Sequence, residues 1–190
     1  MALDERSDRR RHAGTVSVVA TLTLAALNRM SRDEFRQALG GVFEHSPWVA
    51  ERTGEARPFA SVDALHAAMI AVVHRASRDE RLALLRAHPD LAGKAARAGT
   101  MSDASVAEQS SVGLDRLSDE EYERFGRLHT AYRGKFGFPF IIAVRQHDKK
   151  GILAAFETRL GNTVGQEVEA ALAQVFDITR LRLDGLVRER

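Results

Sequence analysis

The sequence predicts an all-α fold, a single-domain bundle of about seven or eight helices. Two observations support this class: helix-initiation signals recur along the chain, and apolar residues follow each signal at helical intervals. The chain has 190 residues, a length that suits one domain with an ordinary core. Hydrophobic residues make up 44% and charged residues 28%, close to the globular average, and no repeat, linker or low-complexity segment divides the chain.

The first residues carry a charge-rich segment. We expect residues 1–14 to form a disordered tail and residues 15–190 to form the helical domain. The run RRRHAG followed by TVSVVATLTLAAL imitates a secretory signal, but threonines and a serine dilute the apolar stretch and no cleavage site is evident. The stretch is also too short and too polar to span a bilayer, so no membrane association is expected.

Helix starts are marked by pairs with capping-box spacing. These pairs are Ser31 with Glu34, Ser77 with Glu80, Ser118 with Glu121, and Thr163 with Gln166, which is the glutamine version. Each pair, and also Ser61, precedes apolar residues spaced three or four apart. The spacing predicts helices that each present one apolar face to the core.

The stretch GFPFIIAVR, residues 137–145, departs from this pattern. Pro139 interrupts the helical run, and a continuous apolar stretch follows. Periodicity alone does not decide between a buried strand-like segment and a new helix. Because the residue before a proline avoids the helical region, we expect an extended opening. The following HDKKG predicts an exposed turn before a helix that carries Ile152, Phe156 and Leu160.

Composition excludes several functions. The chain has no cysteine, so it has no disulfide, no thiolate nucleophile and no thiolate metal site. This favours a reducing compartment, and we expect a cytoplasmic location. The net charge is only +2, and the 6% of aromatic residues do not alternate with basic ones as a platform for stacking bases requires. Nucleic acid is therefore not an expected partner.

The dipeptide His88-Pro89 ends a helical run. Pro89 restricts His88 to extended conformations, so the imidazole leaves the helix in a fixed direction. A side chain held in this way suits general acid or base catalysis. It equally suits a cap on the last carbonyls of the preceding helix. The dipeptide alone leaves both roles open.

A second candidate is the segment SDASVAEQSS. Ser102 can cap a short helix on which Ser105, Glu108 and Gln109 share one face. A hydroxyl, a carboxylate and an amide together could hold a ligand rich in amide and carbonyl groups. The same pattern is also typical of the solvated side of a surface helix.

Arg145 follows the apolar run of residues 140–144. A guanidinium that emerges from buried sequence requires an anion, either a substrate carboxylate or a structural salt-bridge partner. Backbone N–H groups around Ile141, Ile142 and Ala143 could also serve a ligand if this segment is extended.

Known motifs for metals and nucleotides are absent from the sequence. The histidines form neither an H-x-x-x-H pair nor an H-E-x-x-H motif, so no metal site is predicted. The sequence also lacks a phosphate-binding loop of the Walker type, a dinucleotide fingerprint and a G-x-S-x-G elbow.

Several segments occur in a characteristic order: LNRMSRDEF, FEHSPWVAERT, RPF, HPDLAGK, SVAEQSSVGL, YRGKFGFPFIIAVR, ILAAFETRLGN and ALAQVFDITRLRL. Together they resemble the 2-oxo-4-hydroxy-4-carboxy-5-ureidoimidazoline (OHCU) decarboxylase family, which catalyses the last step from urate to (S)-allantoin. The resemblance covers roughly Leu27 to Leu183. One departure is LHTAY, where the family pattern predicts asparagine at His129.

The resemblance implies an all-α carboxy-lyase that needs no cofactor and acts on a small molecule, the ureidoimidazoline formed from urate. Members are often dimers, so a homodimer is expected. By this match His88 is the catalytic acid or base, and Pro89 shapes the pocket. The serine, glutamate and glutamine of S-x-x-E-Q correspond to Ser105, Glu108 and Gln109, with Glu108 assisting His88 and the other two holding polar groups of the substrate.

The resemblance assigns substrate binding to a second region as well. The arginine after the FPF run corresponds to Arg145, and the backbone of Phe140, Ile141, Ile142 and Ala143 is implied to line the site. Two other functions stay open: a non-catalytic helical interaction domain with the family fold, and a hydrolase acting on a related ureido or cyclic amide compound. The enzyme hypothesis requires His88, Glu108 and Arg145 to converge in one cavity.

Overall fold

The computed structural model describes residues 22–91 and 102–190, and it confirms the all-α class. The nine α-helices of this described part are α1 Leu24–Arg29, α2 Arg32–Leu39, α3 Trp48–Thr53, α4 Val62–Arg75, α5 Arg78–Arg86, α6 Asp103–Ser111, α7 Asp119–Phe136, α8 Lys149–Arg159 and α9 Val164–Leu186. The sequence predicted about seven or eight. The tail predicted for residues 1–14 lies outside the described residues.

Minor elements complete the fold. Two short 3-10 turns span Gly54–Ala56 and Val144–Gln146. Strands β1 (Leu22–Thr23) and β2 (Val187–Arg188) pair in parallel and bring the two ends of the described chain together. Among the described helices, none has the length and apolar character needed to cross a membrane.

The four predicted capping boxes are confirmed. In each of them the serine or threonine accepts a hydrogen bond from the third residue of the helix, whose side chain bonds back to the cap. Ser61 and Ser102 likewise cap α4 and α6. Caps of this kind typically stabilise a helix by about 1 kcal/mol each, so local sequence defines where these helices begin.

The core forms around α9, which packs against α4, α5 and α7. One side of α9 is buried along its length, as Leu172, Val175 and Leu183 show. Phe140 stacks on Phe156 of α8 with ring centroids 3.9 Å apart. The aromatic contacts extend the core from the helices to the irregular segment that follows α7.

Pro139 lies outside any helix, as expected, and the extended conformation expected for the opening after α7 stays a prediction. Gly137 ends α7 in the left-handed region with φ 76°, a conformation that glycine adopts without steric cost. The buried residues Phe138–Ala143 then form neither helix nor strand, and the chain turns at Val144–Gln146. The next helix begins at Lys149, capped by Asp148.

Candidate active site

A pocket lies where the end of α5, one face of α6, the irregular segment after α7 and the C-terminal half of α9 meet. Its lining among the described residues is His88, Pro89, Leu91, Ser105, Glu108, Gln109, Ile141, Ile142, Val144, Ile178 and Arg182. The structure therefore brings together seven of the ten residues selected from the sequence. The apolar walls and the few converging polar groups are typical of a small-molecule site.

His88 caps the preceding helix, as one of the two expectations requires, and its catalytic role stays a prediction. Its Nδ1 lies 3.2 Å from the carbonyl of Leu84 in the last turn of α5, so the imidazole caps that helix. The same ring lines the pocket and is only 7% exposed. Because the carbonyl can only accept, Nδ1 carries the proton of the neutral ring and Nε2 is the acceptor.

The surroundings of His88 favour the neutral ring. Burial lowers the pKa of His88 to about 4, and this effect outweighs the hydrogen bond to Leu84 and the nearby carboxylates of Glu44 and Glu108, which raise the pKa. At neutral pH the imidazole can thus accept a proton from a ligand hydroxyl.

The polar face of α6 is buried and does not face solvent. Ser105 and Gln109 are 5% and 4% exposed. Ser105 donates to Oε2 of Glu44 at 3.0 Å, and Gln109 donates to the backbone carbonyl of Asp90 at 3.3 Å. The Gln109 contact connects α6 to the segment that carries His88.

Arg182 is the charged residue of the described pocket lining that the sequence analysis missed. Its guanidinium donates two hydrogen bonds to Glu108, from Nε to Oε1 at 2.8 Å and from Nη2 to Oε2 at 2.9 Å. Nη1 bonds Oε2 of Glu44 at 2.8 Å and the carbonyl of Val42 at 3.4 Å, and Nη2 also bonds Ser105 at 3.2 Å. These five contacts match the five donors of a guanidinium, so Arg182 orders the polar side of the pocket.

Glu44 is the second missed residue. Its side chain is 2% exposed, and burial raises its pKa. Hydrogen bonds from Ser102 and Ser105 and the charge and hydrogen bond of Arg182 outweigh that effect, so the net shift of the pKa is downward. Glu44 is therefore an ionised carboxylate. The carboxylates of Glu44 and Glu108 thus both contact the guanidinium of Arg182.

One sequence signal could have identified Arg182. Leu172, Val175 and Ile178 form the apolar face of α9, and Arg182 lies one turn beyond Ile178 on that face. A charge at a buried position of a helix requires a partner. Glu44 offers no such signal, because it lies in a loop between α2 and α3 without periodicity.

Arg145, Phe140 and Ala143 are not among the described residues that line this pocket. Of the three residues expected to converge, His88 and Glu108 do so and Arg145 does not, and the guanidinium in the pocket belongs to Arg182. Arg145 is exposed and lines a neighbouring groove, and among the described residues this groove shares Glu108 and Arg182 with the His88 pocket. The reason is the 3-10 turn at Val144–Gln146, which carries Arg145 away from the pocket after Val144. Phe140 and Ala143 are buried beside it in the core.

We therefore expect Arg145→Lys to change kcat/KM by less than about threefold, the range of an ordinary surface substitution. The measurement is steady-state kinetics of the variant beside the wild type. A loss of tenfold or more with an unchanged melting temperature would instead return Arg145 to substrate binding.

His129, the departure from the family pattern, lies next to the site. Its Nε2 donates to the carbonyl of Leu91 at 2.6 Å, and its Nδ1 lies 3.6 Å from Oδ1 of Asp90. Burial lowers its pKa, so the ring is neutral. His129 thereby supports the backbone directly after His88 and Pro89. Within residues 22–91 and 102–190, no three His, Asp or Glu side chains are grouped as a metal site would require.

Comparisons with known proteins agree with this arrangement. The family model described as OHCU decarboxylase matches residues 28–184. The chain is 49% identical over 162 residues to the 2-oxo-4-hydroxy-4-carboxy-5-ureidoimidazoline decarboxylase of Haloferax volcanii, covering 85% of this chain and 94% of that protein. It is 44% identical to the same enzyme of Halalkalicoccus jeotgali, covering 89% of this chain and 94% of that protein.

A solved structure gives the same result. The crystal structure of (S)-allantoin synthase superimposes with a TM-score of 0.72 at 36% identity. The match covers 88% of this chain and 54% of that chain, so this chain spans about half of the protein in that structure. On the extent of the family match and the identity to its members, the chain belongs to the OHCU decarboxylase family.

Proposed function

We propose that the protein decarboxylates 2-oxo-4-hydroxy-4-carboxy-5-ureidoimidazoline to (S)-allantoin in urate degradation, with His88 as the proton carrier. Membership of the family supports the reaction. The observation that carries the role of His88 is the convergence of a buried, neutral imidazole with Ser105, Glu108 and Gln109 in one pocket. A non-catalytic interaction domain would not need this convergence.

The reaction can proceed on the electrons of the substrate itself. When the bond to the carboxylate breaks, its electron pair forms a double bond to the adjacent carbon, and the imine electrons move onto the ring nitrogen, which takes one proton from solvent. The product of this step is CO2 and an enol. Loss of the hydroxyl proton and gain of a proton at the carbon that bears the ureido group then give allantoin.

His88 performs the two later proton transfers. In its neutral form it accepts the proton of the ring hydroxyl at Nε2, and the resulting imidazolium returns a proton to the neighbouring carbon. The Leu84 carbonyl fixes the ring, so the proton reaches one face of the planar intermediate. One group thereby serves first as base and then as acid.

The other polar groups orient the substrate. Gln109 and Ser105 offer an amide and a hydroxyl to the ring and ureido groups. Glu108, held by Arg182, keeps lone pairs that can accept ureido N–H bonds and stabilise the imidazolium form of His88. The apolar wall of Ile141 and Ile142 excludes water from the departing carboxylate.

The test uses substrate generated from urate in situ. We expect the purified protein to accelerate the decay of the ureidoimidazoline, to release CO2 and to yield one allantoin enantiomer by circular dichroism. An unchanged decay rate with racemic product would exclude the decarboxylase. A hydrolase acting on a ureido or cyclic amide compound would consume the substrate without forming allantoin.

The pH dependence follows from the buried imidazole. With a folded pKa of about 4, His88 is neutral throughout the range from pH 8 to 6, so we expect a flat kcat/KM there and a decline only as pH approaches 4. Between pH 6.5 and 4 the unfolded chain binds a proton that the folded chain excludes, so stability also falls as pH falls. Kinetics at each pH test the expected kcat/KM profile, and thermal unfolding at each pH tests the expected loss of stability. A decline in kcat/KM centred near pH 6.5 would contradict the role of buried His88 as the base.

Two further properties are proposed. We propose a homodimer, as the family resemblance implies, and a cytoplasmic location, which a chain without cysteine favours. Sedimentation equilibrium would measure the mass in solution against 21.0 kDa for one chain. Fractionation of the source cells would locate the protein.

A further inference from the structure

The pocket wall formed by Ile141 and Ile142 has no secondary structure of its own to hold it. It belongs to the buried, irregular segment Phe138–Ala143 between α7 and the following 3-10 turn. Backbone groups in such a segment cannot rely on a helix or sheet ladder for hydrogen bonds, so side chains must supply them. Here Arg159 and Gln174, which lie outside the described pocket lining, hydrogen-bond the backbone on either side of Ile142.

The first tether is Arg159, at the end of α8. Its Nη1 donates to the carbonyl of Ile141 at 2.7 Å, and its guanidinium lies 4.6 Å from the centroid of the Phe140 ring. Glu167 of α9 orients the guanidinium, with Oε1 lying 2.8 Å from Nε and 2.5 Å from Nη2. The planar fork can thus bind a carboxylate and a carbonyl together.

Glu167 is itself fixed from several sides. Its side chain is fully buried, with 0% exposure. It accepts hydrogen bonds from the Tyr132 hydroxyl of α7 and from the amide of Asn162 at 2.6 Å. A buried carboxylate is tolerated only with such partners, and the cluster therefore gives Arg159 a single orientation.

The second tether is Gln174 of α9. Its Oε1 accepts the N–H of Ala143 at 2.9 Å, and its amide donates to Asp177 at 3.3 Å. Ile178 and Arg182, which line the pocket, follow at intervals of four residues on the same face of α9. One stripe of α9 therefore holds both the wall and the polar side of the pocket.

We propose that Arg159 and Gln174 are positioning residues that set the distance between the Ile141–Ile142 wall and His88. Neither is among the described residues lining the pocket, so neither is expected to touch the substrate. They act on the backbone at Ile141 and Ala143, and the loss of one tether frees one side of Ile142. A misplacement of about 1 Å near a reacting centre can cost up to about 10²-fold in rate.

The decisive experiment uses Gln174, because its side chain is only partly buried and its loss does not expose a buried charge. Gln174→Met keeps the length and removes the acceptor for the Ala143 N–H. Gln174→Glu in an Asp177→Asn background retains an acceptor oxygen without placing two carboxylates together. Asp177→Asn alone is the matched control.

We expect Gln174→Met to lower kcat/KM about tenfold or more, with a well-folded protein by far-ultraviolet circular dichroism. The double variant and the control should stay near the wild-type value. The inference rests on the proposed decarboxylase activity, so the wild type is measured in parallel. An inactive wild type refutes the activity, whereas an active wild type matched by Gln174→Met refutes the positioning role.

Arg159 is tested separately. Arg159→Lys keeps a positive charge beside Glu167, but an ammonium cannot also reach the Ile141 carbonyl in the same geometry. Arg124→Lys is the control, because it makes the same change in an exposed ion pair with Glu157 of α8, outside the Glu167 cluster. We expect Arg124→Lys to keep normal kcat/KM, and Arg159→Lys to lower kcat/KM of the folded protein. Equal kcat/KM for the two folded variants would refute the tether at Arg159.

Discussion

Replacement of His88 by Asn is expected to lower kcat/KM by roughly 10²- to 10⁴-fold, the usual contribution of a general acid or base. Asparagine keeps a polar side chain and the constraint from Pro89 but has no group that titrates. The substrate can still bind to Ser105, Glu108 and Gln109, so the loss should fall mainly on kcat. Single-turnover decay of the ureidoimidazoline measures it.

His74→Asn supplies the matched control. It makes the same chemical change at an exposed position of α4, away from the pocket. We expect wild-type kinetics from this variant. If His88→Asn also retained the normal rate, the imidazole would be a helix cap only, and another group would have to carry the proton.

Replacement of Arg182 by Met is expected to have the largest effect on stability. The side chains of Arg182 and Glu44 are 10% and 2% exposed, and the substitution leaves the carboxylates of Glu44 and Glu108 without their cation. Removing one partner from a buried ion pair typically costs about 3 to 5 kcal/mol. Chemical denaturation at pH 7 measures the free energy of unfolding.

The pH dependence of that loss identifies its cause. With Arg182 present, the pKa of Glu44 lies below its ordinary value of 4.5, so the ionised carboxylate contributes stability above that pH. Without Arg182, the hydrogen bonds from Ser102 and Ser105 still lower the pKa of Glu44, but the charge and hydrogen bond of the guanidinium are lost, so the pKa is higher than in the wild type. Protonation of Glu44 at lower pH removes the unpaired buried charge, so Arg182→Met becomes more stable relative to the wild type as pH falls. We therefore expect the difference in unfolding free energy to narrow from pH 7 to pH 5.

Arg180→Met is the control for this comparison. Arg180 lies two residues earlier on α9 and pairs at the surface with Asp63 and Asp184. An exposed ion pair contributes at most about 1 kcal/mol, and its loss should depend little on pH in this range. If Arg182→Met cost no more than Arg180→Met, the buried ion-pair network would not be the support of the pocket.

The parts of the fold that sequence predicted depend on local interactions. A capping box joins residues three apart, so Ser31 with Glu34 or Ser118 with Glu121 can be recognised without knowing the tertiary structure. The polar face of α6 was found for the same reason, because Ser105, Glu108 and Gln109 follow helical spacing. Only the fold revealed that this face is buried.

The unpredicted parts depend on long-range contacts. Arg182 meets Glu44 across 138 residues of sequence, and Arg159 holds Ile141 through a turn and a helix. Such partners are chosen by tertiary packing, which periodicity does not encode. Arg145 was assigned to the pocket by the family resemblance, but its direction depends on the 3-10 turn, which sequence spacing did not reveal.

The most direct test of His88 as the proton carrier is the enantiomeric excess of allantoin formed by the wild type and by His88→Asn. The enol is planar at the carbon that receives the proton, and water can reach either face unless the protein supplies a fixed donor. Circular dichroism, followed faster than allantoin racemises, gives the excess in each case. We expect (S)-allantoin from the wild type and nearly racemic product from His88→Asn. A variant that still forms only (S)-allantoin at the wild-type rate would show that His88 does not deliver the proton.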